Sequence, residues 1–168
     1  SGRLALTTRG TRIDWPTVFP EFLEATELDG ILVWRQGRDG LRVVSDDLIL
    51  SNDDVTTRTT LELTYPMDDT SPVLELASSF SDFNVGAMGR YLPAGIMVPG
   101  AFRYLDRAIV GGRVSRADVS FFGPVRAFPF DEGEGQFEAH VQIEDGSMAF
   151  AEGWPEALGI TGTIDFLN

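Results

Sequence analysis

Few side chains in this sequence have the type and spacing that chemistry demands. His140 is the one histidine, and cysteine is absent, which removes disulfides, thiolate metal sites and cysteine nucleophiles. On an alternating segment His140 shares the polar side with Glu138 and Gln142, where a solvated imidazole is the plain expectation. As a general base it would need a positioned Ser or Asp partner, and the sequence supplies none. The acidic doublets Asp46-Asp47, Asp53-Asp54 and Asp68-Asp69 could serve acid-base or metal chemistry only by converging. Neighbours on a strand point to opposite faces, and none of the doublets follows the calcium-loop pattern, so they read as turn residues. The glycines from Gly86 to Gly100 and the pair Gly111-Gly112 belong to no phosphate-cradling motif; they read as loops and a helix end. The expectation is a protein that is no enzyme and holds no cofactor and no metal.

The elements that would carry these residues are mostly strands. Val55 to Tyr65 alternates strictly, with Val55, Thr57, Thr59, Leu61, Leu63 and Tyr65 on one face. Phe137, Ala139, Val141 and Ile143 alternate in the same way, and the following Asp145-Gly146 predicts a hairpin turn. Ile31–Trp34 and Leu41–Val44 form a second hairpin around residues 36–40, and shorter strands are expected at Val73–Ala77, Val114–Phe122 and Ile160–Phe166. Two amphipathic helices are predicted: one after Pro99, with Ala101, Phe102, Leu105, Ala108 and Ile109 as its stripe and Gly111-Gly112 as its end, and one from about Thr17 to Leu28. Trp15-Pro16 and Trp154-Pro155 each precede a glycine and a strand, a weak repetition that suits β units added side by side. The fold class is therefore mainly β (α+β), a curved antiparallel sheet with one or two short helices. Residues 1–168 form one unit, divisible into two coupled repeats of about 1–83 and 84–168.

Composition narrows the partners. In 168 residues, 13 Lys+Arg face 26 Asp+Glu, a formal net charge of −13, and no basic run offsets that field against nucleic acid. Hydrophobic residues make up 43%, enough for a core and unlike a disordered chain. No apolar run reaches the length of a membrane span, so any anchor is expected outside this chain. Strands with one apolar face must bury it against helices, a second sheet or a ligand, and two short helices are little cover. Either Leu61, Leu63, Phe121, Val141 and Ile143 form a sealed core, or the inner face of a concave sheet stays open to an acyl chain.

The segment from Tyr91 to Phe130, with Tyr91-Leu92-Pro93, Leu105-Asp106-Arg107-Ala108, Gly123-Pro124 and Phe128-Pro129-Phe130, continues through Gly135-x-Phe137 to Trp154-Pro155. In that order these motifs resemble the large AsmA-like proteins of the YhdP type in Gram-negative bacteria. The first half matches less sharply, through Trp15-Pro16, Asp29-Gly30 and Trp34, and Arg103-Tyr104 stands where the family pattern has a tryptophan. The resemblance implies an internal segment of a periplasmic protein anchored in the inner membrane by a helix that lies elsewhere. Its β-groove would conduct phospholipid toward the outer membrane, with acyl chains and neighbouring repeats as partners and no catalytic residues. The expected groove lining is Leu61, Leu63, Tyr65, Phe121, Phe137, Val141 and Ile143. Each methylene kept from water is worth about 0.8 kcal/mol, so such a groove needs continuous apolar lining and little else.

Overall fold

The computed structural model describes residues 1–14, 16, 19, 21–91, 103, 109–149 and 153–168. They form one open antiparallel sheet of eight strands in sequence order: β1 (Gly2–Ile13), β2 (Leu23–Gln36), β3 (Leu41–Ser51), β4 (Thr56–Tyr65), β5 (Val73–Asn84), β6 (Ile109–Pro124), β7 (Gln136–Met148) and β8 (Ala157–Leu167). Every strand pairs with its sequence neighbours, the arrangement that short connections favour. Strands of ten to sixteen residues are long for a globular sheet, and register shifts within β2, β3, β6, β7 and β8 let them bend. A 3₁₀ turn at Val85–Ala87 runs into a one-turn helix, α1 (Met88–Tyr91), and a second 3₁₀ turn follows β6 at Val125–Ala127.

The expected strands are all present; the one expected over Val55–Tyr65 opens one residue later, at Thr56, and the shorter ones at Val73–Ala77, Val114–Phe122 and Ile160–Phe166 extend beyond the local pattern. β1 was not foreseen, although Leu4, Leu6 and Thr8 alternate with Arg3, Ala5 and Thr7.

Three local expectations are corrected. The helix predicted over Thr17–Leu28 is displaced from Leu23 onward by β2: hydrogen bonding to β1 on one side and β3 on the other outweighs the helical preference of Leu23-Glu24-Ala25. Gly111-Gly112 lies inside β6, where its register against β7 shifts, and does not end a helix. There Gly112 has φ of 119°, and a Cβ on it would sit 2.6 Å from the Cα of Gly146. Asp145-Gly146 makes no hairpin turn: β7 runs through it to Met148, and the left-handed Asp145, φ 50°, marks a bulge. Turn chemistry and bulge chemistry draw on the same residues, and pairing to β6 and β8 decides for the bulge. The other predicted helix, from Ala101 to Ile109, falls outside the described residues except for Arg103, which is helical, and Ile109, which opens β6.

The buried core gathers at one end of the sheet. Val55, Phe83, Val85, Val114, Ala117 and Ile143 pack together, joined by the half-buried Phe80, Met88, Tyr91, Val141 and Ile164. Asn52 organises this end. Its Oδ1 accepts hydrogen bonds from the Asp54 and Val55 amides, and its Nδ2 donates to the Glu24 carbonyl and to the Tyr91 hydroxyl at 2.8 Å. Asp54 in turn accepts from Arg90 and from the Tyr91 hydroxyl, both at 3.2 Å, so the β3–β4 connection holds α1 against the sheet.

Candidate functional site

Cross-strand register assembles apolar residues from all eight strands on one face. Leu61 on β4 stands opposite Ser45 on β3 and Leu76 on β5; Leu76 stands opposite Phe121, and Phe121 opposite Phe137. A second row runs from Trp34 through Val43, Leu63 and Leu74 to Gly123. A third joins Phe80, Ala117, Val141 and Ile164. The bulges keep the apolar side consistent, since an extra residue restores the face that strict alternation would lose. Leu4 and Leu6 on β1, opposite Leu32 and Gly30, extend the face to the sheet edge.

All seven residues expected to line a groove lie on this face, in three different surroundings. Leu61 and Leu63 are half-buried, and no second layer among the described residues covers the β1–β4 half of the face. Half-burial of that kind, without a covering layer, is what a curved sheet gives its inner side. Tyr65, at the strand end, is 52% exposed. Ile143, 6% exposed, is enclosed in the core with Val141 packed beside it. Phe121 and Phe137 lie beneath the β6–β7 connection. Phe128 sits edge-on to Phe137 at 5.6 Å between ring centres, and Phe130 lies 5.1 Å from Phe121. Phe130 fills a niche that exists because Gly123 and Gly135 lack side chains, since a Cβ on Gly135 would come within 2.6 Å of its ring. The segment is fixed by the Arg126 amide on Ser71 Oγ, the Val125 amide on the Pro72 carbonyl and Asn168 Nδ2 on the Pro129 carbonyl.

Sequence reasoning passed over Leu6, Leu28, Leu32, Leu48, Leu50, Leu74, Leu76 and Val119, which the register places on the same face. The signal was there: Leu74, Leu76 and Ser78 alternate with Val73, Glu75 and Ala77. Hydroxyls interrupt the face at mid-strand, where Thr59 Oγ1 and Ser78 Oγ hydrogen-bond to each other at 2.7 Å.

The opposite face is mainly polar, although Ile31, Val33, Val73 and Phe122 are exposed on it. Arg42 pairs with Glu62 across β3–β4, Arg58 with Asp47 at 2.7 Å and Arg116 with Asp118 at 2.6 Å. The hydrogen bond from Arg42 holds the Glu62 carboxyl below its ordinary range, and Arg58 does the same to Asp47. His140 is on this face, exposed, with Nδ1 2.7 Å from Asp165 Oδ1 and Nε2 3.7 Å from Glu138. The Asp165 hydrogen bond raises the imidazole pKa above its usual value. A shallow hollow beside it is lined by Thr60, Ser79, Ser120 and Asp118, but His140 makes no hydrogen bond to a hydroxyl among the described residues. Its nitrogens face carboxylates and no nucleophile. Among the described residues no three His, Asp or Glu side chains converge as a metal site, and no helix is long and apolar enough to cross a membrane.

A long antiparallel sheet with one largely apolar face agrees with the curved sheet that the resemblance implies, and comparison with known proteins decides the family. The model of the YhdP protein family matches residues 1–168. The chain belongs to the YhdP family. It is 26% identical over 168 residues to the intermembrane phospholipid transporter YhdP of Escherichia coli K12, a match covering all of this chain and 13% of that protein. The chain thus spans about an eighth of the length of this YhdP relative. No solved structure matches.

Proposed function

We propose that this chain is a segment of a phospholipid-conducting β-groove and that its apolar face is the acyl-chain path. One observation carries the reading: an apolar face to which all eight strands contribute, broken only by hydroxyls at mid-strand and left without a second layer among the described residues along β1–β4. Acyl chains need that continuity because every gap costs exposure of methylenes to water. The YhdP relative, named as an intermembrane phospholipid transporter, supports the substrate class. Leu61 and Leu63, with Leu32, Leu48 and Leu76 beside them, are the proposed floor; Tyr65, Phe121, Phe137 and Val141 flank it, and Ile143, on the same face, anchors that side in the core. On this reading the parent protein stands in the periplasm, anchored to the inner membrane by a segment outside this chain, and passes lipid toward the outer membrane. Neighbouring repeats extend the groove, and the segment acts as a carrier with no catalytic residue. The recurrence of Trp-Pro supports two coupled units, about 1–83 and 84–168, joined through the paired β5 and β6.

The test is native mass spectrometry of protein purified from bacteria without detergent, with extraction and identification of bound lipid. Co-purified phospholipid at defined stoichiometry is expected, as is its loss in folded Leu63→Asp and Val141→Asp variants. Apoprotein that also refuses added phospholipid would instead favour a spacer or protein-interaction segment, a reading supported by the coverage that α1, Phe128 and Phe130 already give the β5–β7 half.

A further inference from the structure

Buried polar side chains in a folded protein ordinarily have hydrogen-bond partners. Among the described residues one has none: the hydroxyl of Ser45, a residue 2% exposed. Its place is on the apolar face. Ser45 stands opposite Leu61 on β4, and the β3 bulge follows it directly, where Asp46 and Asp47 are spanned by the single Thr60. Along β3 the same face carries Val43, opposite Trp34 and Leu63, and beyond the bulge Leu48, opposite Gly30 and Thr59. Leu32, opposite Leu4, is the apolar neighbour on β2. Ser45 therefore sits amid the leucine and valine side chains of β2 to β4. With no second layer over this half, what hides its hydroxyl from water is a set of half-buried side chains free to change rotamer.

The sheet treats other hydroxyls on this face differently. One row along, Thr59 Oγ1 and Ser78 Oγ bond to each other at 2.7 Å and leave each other satisfied. An alanine at 45 would lose no side-chain bond among the described residues and would bury nothing polar, so the hydroxyl calls for a partner that the chain does not supply.

A serine hydroxyl offers one donor and two acceptor positions. The methylenes of an acyl chain have no use for them, and a phosphate would have to shed its water to enter a site among leucines. The ester carbonyl that joins chain to glycerol is a neutral acceptor, and on an apolar floor it lacks a partner too. Each group removes the other's cost.

We propose that Ser45 Oγ donates a hydrogen bond to an ester carbonyl of a glycerolipid whose acyl chain lies over Leu32, Leu48 and Leu61. The groove then recognises the acyl ester as well as the chain. The proposal rests on the lipid-conducting reading and adds the group that sets where along the floor the glycerol end of a lipid comes to rest.

The experiment measures binding of dioleoylphosphatidylcholine and of its diether analogue, which keeps chains and headgroup but has no ester carbonyl, to the wild type, Ser45→Ala and Leu63→Asp. The wild type is expected to bind the diester about three- to tenfold more tightly, the worth of one neutral hydrogen bond. Ser45→Ala should erase that preference by weakening the diester alone. Without lipid, the same variant should unfold at a urea concentration no lower than the wild type's, because its hydroxyl has no partner to lose. The same preference in Ser45→Ala and wild type, with Leu63→Asp defective toward both lipids, would overturn the ester contact and leave the groove standing; so would a wild type that does not distinguish the two lipids. A lower urea midpoint for lipid-free Ser45→Ala would mean that the hydroxyl is already bonded in the free protein, and would overturn the contact as well. Failure of the wild type to bind either lipid would overturn both readings.

Discussion

His140 shows what a sequence withholds at the scale of one residue. Its place on the polar face followed from alternation, but its partner Asp165 lies on β8, and only the β7–β8 register puts the two opposite each other. That hydrogen bond, helped by Glu138, raises the imidazole pKa above 6.5, while Asp118 on β6 faces the same residue with its charge engaged by Arg116. A raised folded-state pKa means stabilisation that is fully present below the unfolded value and lost as pH rises through the folded one. NMR titration of the ring should give a midpoint above 6.5 in the wild type and a lower one in Asp165→Asn; identical midpoints would remove Asp165 as the cause. The Phe130 niche was equally hidden, since a glycine written at 135 says nothing of the ring lodged against it. Gly135→Ala should cost about 1–3 kcal/mol in urea unfolding, the usual penalty for overpacking, because the Phe122 carbonyl, 2.5 Å from the added carbon, and the Phe130 ring both obstruct it. Wild-type stability in that variant would mean the niche is loose.

At the scale of elements, strands were legible and connections were not. β4 and β7 alternate plainly because one side of each is apolar, whereas the Leu-Glu-Ala run at the start of β2 carries a helical preference that only its two neighbours overrule. Gly111-Gly112, expected to end a helix, and Asp145-Gly146, expected to turn a hairpin, misled for a related reason: such residues permit a left-handed backbone, and the sheet determines that a bulge results. α1 was missed because a single turn has no periodicity to read; tertiary hydrogen bonds hold it, and Asn52 gathers them. Asn52→Ala removes an acceptor for two amides and two donated bonds, so a loss of about 1–3 kcal/mol is expected in urea unfolding. Tyr91→Phe gives up the phenolic hydrogen bonds alone and should lose less. If the two variants unfold at the same urea concentration, the tie to α1 is the whole of Asn52's contribution and its capping of the β3–β4 connection counts for nothing.

The whole molecule is asymmetric in how it is held together. Its packed core lies where β5, β6 and β7 meet α1, and the Phe128–Phe130 segment adds a second packed site at the far ends of β6 and β7. β1 to β4 contribute mainly half-buried leucines and valines, and β1 and β8 are the strands with a single neighbour. Alternation could reveal that an apolar face exists, but which half of it protein covers depends on where the connections fold, and that was beyond the sequence. Backbone opening follows local burial, so hydrogen exchange should be slowest in the middle of β5 to β7, faster through β2 to β4, and fastest in β1. A ligand that binds the folded state alone stabilises whatever opening would disrupt its site. If acyl chains lie on the open half, phospholipid should slow exchange most in β2 to β4, around Leu32, Leu48 and Leu63, and change the already protected β6 and β7 little. Uniform slowing across all eight strands would point to a lipid seated over the core, and slowing confined to β8 would point to capture at the sheet edge; either pattern would move the acyl path away from the face that the register assembles.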